Sequence, residues 1–304
     1  MRIGIASHVV LDSIKGADGT VTESLGGPPC YCGLTSRRFG FEVALATRIG
    51  KDMPVEFLRI LDQNKITILQ SQVLPDRPTT RFTITAEGHT RNMVLQSKCA
   101  PVTSEEIQNM KVDCWLASPV ADEVPADVLG SIKQNGGGRN FVMLDPQGYM
   151  RRIDQNGVVL LRKRLELELS GIRAIKVDQE EMAALTGGLG GLEGMLALQS
   201  KGVEFVVSTS HEEIHLLHGK TQYRIKMRQL DARDSTGAGD ILSAAFCCAY
   251  MKESDPLWAL CFGAGAVRAA LETGQAGLAK IPSMSRIEES ASYFYNSVGF
   301  RQLS

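Results

Sequence analysis

The chain has almost no net charge of either sign. Its 33 lysines and arginines nearly match its 34 aspartates and glutamates, leaving −1 at neutral pH. No broad electrostatic attraction to nucleic acid or to an anionic membrane surface follows, and neither is expected as a partner. Long apolar runs are missing as well. No uncharged apolar stretch approaches the roughly 20 residues of a membrane-spanning helix, and the N-terminus lacks the basic region and apolar run of a secretory signal. No Cys-x-x-Cys pair occurs among the seven cysteines Cys30, Cys32, Cys99, Cys114, Cys247, Cys248 and Cys261. An odd number of thiols, three of them in apolar helical stretches, predicts reduced, mostly buried side chains in a cytoplasmic protein. No Gly-x-Gly-x-x-Gly follows the first predicted strand, which argues against a dinucleotide-dependent oxidoreductase. Neither an internal repeat nor a linker divides the chain, so residues 1–304 read as a single domain.

What is present is an apolar fraction of 43 %, ample for a sizeable core. Arg2 to Ala6 reads as a short buried strand, Pro28 to Phe39 as a helix ended by Gly40, Val43 to Ala46 as a strand, and Pro54 to Asn64 as a helix. Strands at 114–117, 141–145, 174–177 and 205–208 follow, with helices at 126–134 and 178–185 among them. Helices at 240–251 and 256–271 read as the last elements of the core. Asp255-Pro256 starts the second of these, an acidic cap followed by proline. Strand–helix alternation at this spacing predicts a parallel sheet with crossover helices. The rhythm breaks between Ser71 and Lys98. There Arg81 to Thr85 alternates polar and apolar, Gly88 turns, and Asn92 to Gln96 runs back. A half-polar hairpin inside an α/β chain suggests a lid over a cleft. The lid segments are about 12–25 and 76–98. In open α/β sheets the functional crevice lies beyond the carboxyl ends of the strands, and Asp12, Asp145, Asp178, Ser208 and Gly237 all follow predicted strands.

The segment Asp234-Ser235-Thr236-Gly237-Ala238-Gly239-Asp240 precedes the apolar run Ile241 to Phe246. It has the layout of a glycine turn opening a helix. Glycines let the backbone approach an anion closely, and the free N–H groups and dipole of the first turn favour negative charge there. Thr236 reads as a helix cap. A carboxylate at Asp240 would repel a bound phosphate, so its place in such a turn points to a proton acceptor. Asp178 and Glu181, three apart, fall on one helix face and are candidate magnesium or phosphate contacts, with an acid cluster favoured by the helix dipole as the alternative. Gln147 and Arg151 follow the Asp145-Pro146 strand end, and Arg151 could grip phosphate in a planar fork. Arg91 on the hairpin is a similar candidate. Gly187 to Gly191 follows a helix, lacks Lys-Ser/Thr, and reads as a helix terminator. His215 and His218 fall on opposite sides of a predicted strand, which argues against a metal set with His211.

Asp234 to Asp240 resembles the signature of the ribokinase, or PfkB, family of small-molecule kinases. The resemblance extends over roughly residues 2–285. Gly26-Gly27 is similar to that family's N-terminal di-glycine, Asp12 to its substrate-binding acid, and Asp178 to Glu181 to its Asn-x-x-Glu motif, with Asp178 in the Asn position. The resemblance implies a three-layer α/β/α sandwich with a small β-sheet lid and ATP-dependent phosphorylation of a hydroxyl on a small polyol or sugar. It implies Asp240 as catalytic base, with Gly237, Ala238 and Gly239 as the anion hole. It implies substrate contacts at Asp12, Gly26, Gly27, Tyr31, Gln147 and Arg151. Donor contacts fall at Asp178, Glu181, Ser208, Thr236, Gly237 and Gly239, and magnesium at Asp178 and Glu181. Potassium is a further candidate cofactor, and a homodimer through the lid a candidate assembly. The chain departs from the family at Tyr31, where Asn is frequent, and at Ser208 to Glu213, where the nucleotide loop is degenerate. Thr79 to Phe82, Lys98 to Val102 and Asp145 to Arg151 look similar to myo-inositol kinases and their archaeal relatives. Other sugars, nucleosides and a non-catalytic sugar-binding relative are the alternatives.

Overall fold

The computed structural model describes residues 1–15, 20–87, 90–228 and 234–303. Six neighbouring strands run parallel, in the spatial order Glu42–Ala46, Arg2–Ala6, Cys114–Ala117, Phe141–Leu144, Ala174–Val177 and Phe205–Thr209. Three antiparallel strands, Glu213–His218, Thr221–Lys226 and Gly299–Gln302, extend the sheet beyond Phe205–Thr209.

The central strands are apolar on both faces because helices cover both. In Cys114–Ala117 the period of two divides the side chains cleanly. Cys114 and Leu116 join one core with the helices Pro28–Arg38, Ala238–Glu253 and Pro256–Leu271. Trp115 and Ala117 join a second core with Ala126–Gln134, Gln179–Thr186 and Gly191–Ser200. The expected α/β/α layering is therefore the observed one. All seven cysteines are buried and carry free thiols. Among the described residues no helix is long and apolar enough to cross a membrane.

A separate four-stranded sheet runs in the order Val21–Gly26, Val10–Lys15, Thr80–Glu87 and Thr90–Ser97. Asp12 lies in this sheet, opposite Ser24 and Phe82, rather than at the end of the opening strand. The chain leaves Arg2–Ala6, crosses at Ser7 and His8 and starts a new strand at Val10. The expected turn at Gly88 lies outside the described residues, as does the side chain of Arg91.

The C-terminal end also differs from expectation. Pro256–Leu271 is not the last core helix: Met284–Tyr295 packs on it, burying Ile287, Ala291 and Phe294 in the same core. Helices Ser104–Gln108 and Gly191–Ser200 are further elements that periodicity does not expose. The first is a short helix at whose start the Thr103 N–H and hydroxyl both donate to Glu106 Oε2, at 2.8 and 3.0 Å, and the second is masked by its glycine-rich start.

Candidate active site

The glycine turn is built by backbone conformation. Gly237 caps the helix Ala238–Glu253 at φ 75°, a left-handed conformation, with no side-chain cap. Thr236 is therefore not the cap; its N–H donates to Asp234 Oδ1 at 2.8 Å. A Cβ on Gly237 would collide with the ring of Tyr31, and one on Gly239 would stand 3.1 Å from Lys176 Nζ. Tyr31 is only 2 % exposed. Its ring packs directly against the turn.

Asp240 occupies the first turn of that helix and is almost fully buried. Burial, reinforced by the charge of Asp145, pushes its carboxyl up to about 7, while Lys176, Arg151 and the Ser118 hydroxyl pull the other way. Its Oδ1 is buried without a hydrogen-bond partner among the described residues. A buried oxygen left open in this way suits a group that receives a proton from a ligand. The Asp145 carboxylate pairs with Lys176 Nζ at 2.8 Å. Gln147 donates its backbone N–H to Asp145 Oδ1 at 3.2 Å, and Arg151 donates to Gln147 Oε1 at 3.1 Å and to the Val120 carbonyl at 2.8 Å. The Arg151 guanidinium also lies 5.7 Å from the centroid of the Phe82 ring, touching the second sheet. Asp145, Gln147, Arg151, Lys176, Asp178, Glu181 and the segment Gly237 to Asp240 line one cleft of about 240 Å³.

Asp178 and Glu181 form a reciprocal cap. Glu181 N–H donates to Asp178 Oδ1 and Asp178 N–H donates to Glu181 Oε2, both at 2.8 Å. One oxygen of each is thereby committed to the helix start. Burial, with Asp145 and Asp178 nearby, pushes Glu181 up to about 7 against the pull of Lys176. Among the described residues no three acidic, histidine or cysteine side chains converge as a ready metal cage. The residues still suit magnesium, which binds oxygen, keeps several waters and is held largely by substrate phosphates. Asp178 and Glu181 would hold its water shell, and the ion would supply charge neutralisation at the phosphoryl group.

Asp12, Gly26, Gly27 and Tyr31 form a second group. A Cβ on Gly26 would strike the Asp12 carboxylate. Gly27, at φ 84°, caps the helix Pro28–Arg38 that carries Tyr31. Cys32 of the same helix donates its thiol to the Asp240 carbonyl at 3.4 Å, so the two groups share one scaffold. Ser208 and Thr236 do not line the cleft. Ser208 is paired within the sheet opposite Val177 and His215, and the degenerate loop closes as a tight turn, with Ser210 N–H on the Glu213 carbonyl at 2.9 Å. His215 bonds Glu213, and His218 stacks on Phe205. Sequence reasoning missed Lys176 and Lys280. A lysine inside the buried strand Ala174–Val177 was an available signal; Lys280 gave none.

The model of the pfkB family of carbohydrate kinases matches residues 6–283. The chain belongs to that family. This pfkB family kinase is 23 % identical over 258 residues to the cytidine kinase of Thermococcus kodakarensis, covering 82 % of this chain and 88 % of the relative. Its fold is similar to that of a pyrophosphate-dependent kinase of the ribokinase family solved with a pyrophosphate analogue and myo-inositol. The TM-score is 0.78 at 22 % identity, over 95 % of this chain and 99 % of the other. It is also similar to the fructokinase of Vibrio cholerae solved with fructose, ADP and calcium, with a TM-score of 0.77 at 18 % identity, over 96 % and 99 %.

Proposed function

We propose that this pfkB family kinase transfers a phosphoryl group to a hydroxyl of a small polyol or sugar, with myo-inositol the first acceptor to test. The buried Oδ1 of Asp240, without a hydrogen-bond partner among the described residues and at the start of the helix that the glycine turn opens, carries the reading. Asp240 accepts the proton of the acceptor hydroxyl. The N–H groups of the turn face the transferring phosphoryl group, and Lys176, beside Gly239, adds positive charge. Chemistry of this kind depends on position and electrostatics rather than on covalent steps. Asp12 and the Gly26-Gly27 backbone hold acceptor hydroxyls, since a carboxylate accepts from two at once. The four-stranded sheet acts as the lid, with Arg151 and Phe82 linking it to the cleft.

ATP is the donor the family resemblance implies, with magnesium. Pyrophosphate is a second reading, favoured by the degenerate sequence of Ser208 to Glu213, which closes as a tight turn, and by the pyrophosphate-dependent structural neighbour. A nucleoside acceptor is supported by the cytidine kinase relative. The test is acceptor-dependent release of ADP or orthophosphate, with magnesium and either donor, across polyols, sugars and nucleosides. One strong responder fixes donor and acceptor. Silence from every pair, with neither donor binding by calorimetry, overturns the reading.

A further inference from the structure

The anion turn is tied down by a buried cation supplied by the chain itself. Lys280, at the end of the short turn Gly277–Lys280, has no exposed surface. Its ammonium donates to Asp234 Oδ2 at 2.7 Å and to the Asp234 carbonyl at 3.0 Å. Gly277 N–H reaches the same Oδ2 at 2.8 Å, and Thr236 N–H takes Oδ1. The ammonium also lies 5.5 Å from the centroid of the Tyr31 ring that braces Gly237. Asp234, Thr236, Gly237, Tyr31 and Lys280 are thus one bracket behind the catalytic helix.

Potassium is held by rings of carbonyl and carboxylate oxygens that replace its water. At this turn the carboxylate and carbonyl of Asp234 offer such oxygens, and a dry ammonium already sits on both. A second monovalent cation there would face that ammonium at close range in a low-dielectric setting, where like charges repel strongly. The residues do not fit potassium.

We propose that the Lys280 ammonium does the work of a monovalent cation at the glycine turn, so that phosphoryl transfer by this chain needs no potassium. The inference rests on the kinase reading above. Lys280 acts as a positioning residue: it fixes the turn whose N–H groups face the phosphoryl group.

The experiment compares wild type and Lys280→Met in potassium chloride and in tetramethylammonium chloride at equal ionic strength. Turnover and melting temperature are both followed. Wild type is expected to show the same turnover and melting temperature in both salts. Lys280→Met is expected to lose about 100-fold in turnover without potassium, the scale of a small misplacement of reacting groups. It should regain most of that loss, and melt higher, as potassium or ammonium saturates the vacated oxygens. A saturable rise of wild-type turnover or melting temperature with potassium overturns the proposal. So does a Lys280→Met variant that is fully active without potassium, or one whose loss no cation rescues, since that lysine is then only structural. If Lys280→Met does not fold, the wild-type comparison decides alone. If wild type has no turnover with any donor, the kinase reading fails while the melting temperatures still decide the cation question.

Discussion

Lys176 Nζ lies 2.8 Å from the Asp145 carboxylate, with the two side chains only 10 % and 3 % exposed. They come from the carboxyl ends of adjacent parallel strands. Breaking such a pair leaves a buried charge uncompensated, which costs about 3–5 kcal/mol. Lys176→Met is expected to destabilise the chain on that scale in denaturant unfolding and to abolish turnover. The double change Lys176→Met with Asp145→Asn should recover much of the stability and none of the activity.

Asp240→Asn removes the proposed base while keeping shape. Turnover should fall by about 10²–10⁴-fold, the usual contribution of a positioned base. Donor affinity, read by calorimetry, should change little. Near-normal turnover in this variant would remove the role assigned to Asp240.

The pH dependence follows from the same carboxyl. Asp240 must be ionised to accept a proton, and burial holds it near 7. The pH profile of kcat/KM should therefore rise to half its plateau near pH 7. The stability effect has the opposite sign. The folded-state value lies above the ordinary 3.8, so the folded chain binds this proton more tightly than the unfolded one. Stability contributed by protonated Asp240 is lost as pH rises from 3.8 to about 7. Asp240→Asn should accordingly melt higher than wild type at pH 8, when scanned alongside it.

Gly237→Ala places a Cβ against the Tyr31 ring in a left-handed backbone. The conformational strain alone is about 1–3 kcal/mol. Loss of turnover should exceed the loss of acceptor binding, because the turn and not the acceptor pocket is displaced. Tyr31→Ala added to Gly237→Ala should relieve the collision but leave the backbone strain, a partial recovery visible in melting temperature.

Gly26→Ala pushes a methyl onto the Asp12 carboxylate. The Michaelis constant for the acceptor should rise about tenfold or more, as for a lost hydrogen bond to a charged group, with the donor constant unchanged. An equal effect on both substrates would place Asp12 outside the acceptor pocket.

The sequence by itself determined the layered fold and the turn. Parallel strands buried on both faces must be apolar throughout, and glycines at a left-handed helix start leave a local signature, so Cys114–Ala117, Phe141–Leu144 and Gly237 to Asp240 were legible as strings. Asp255 capping Trp258 N–H was legible for the same reason, since its partner is three residues away. The tertiary structure alone decided which charges meet. Lys176 finds Asp145 from another strand, Lys280 reaches Asp234 across 46 positions, and Tyr31 turns inward beneath Gly237. It also decided that Asp12 belongs to the second sheet. Such pairings depend on distance in space between elements far apart in the chain, and the spacing of residues along the chain carries no trace of it.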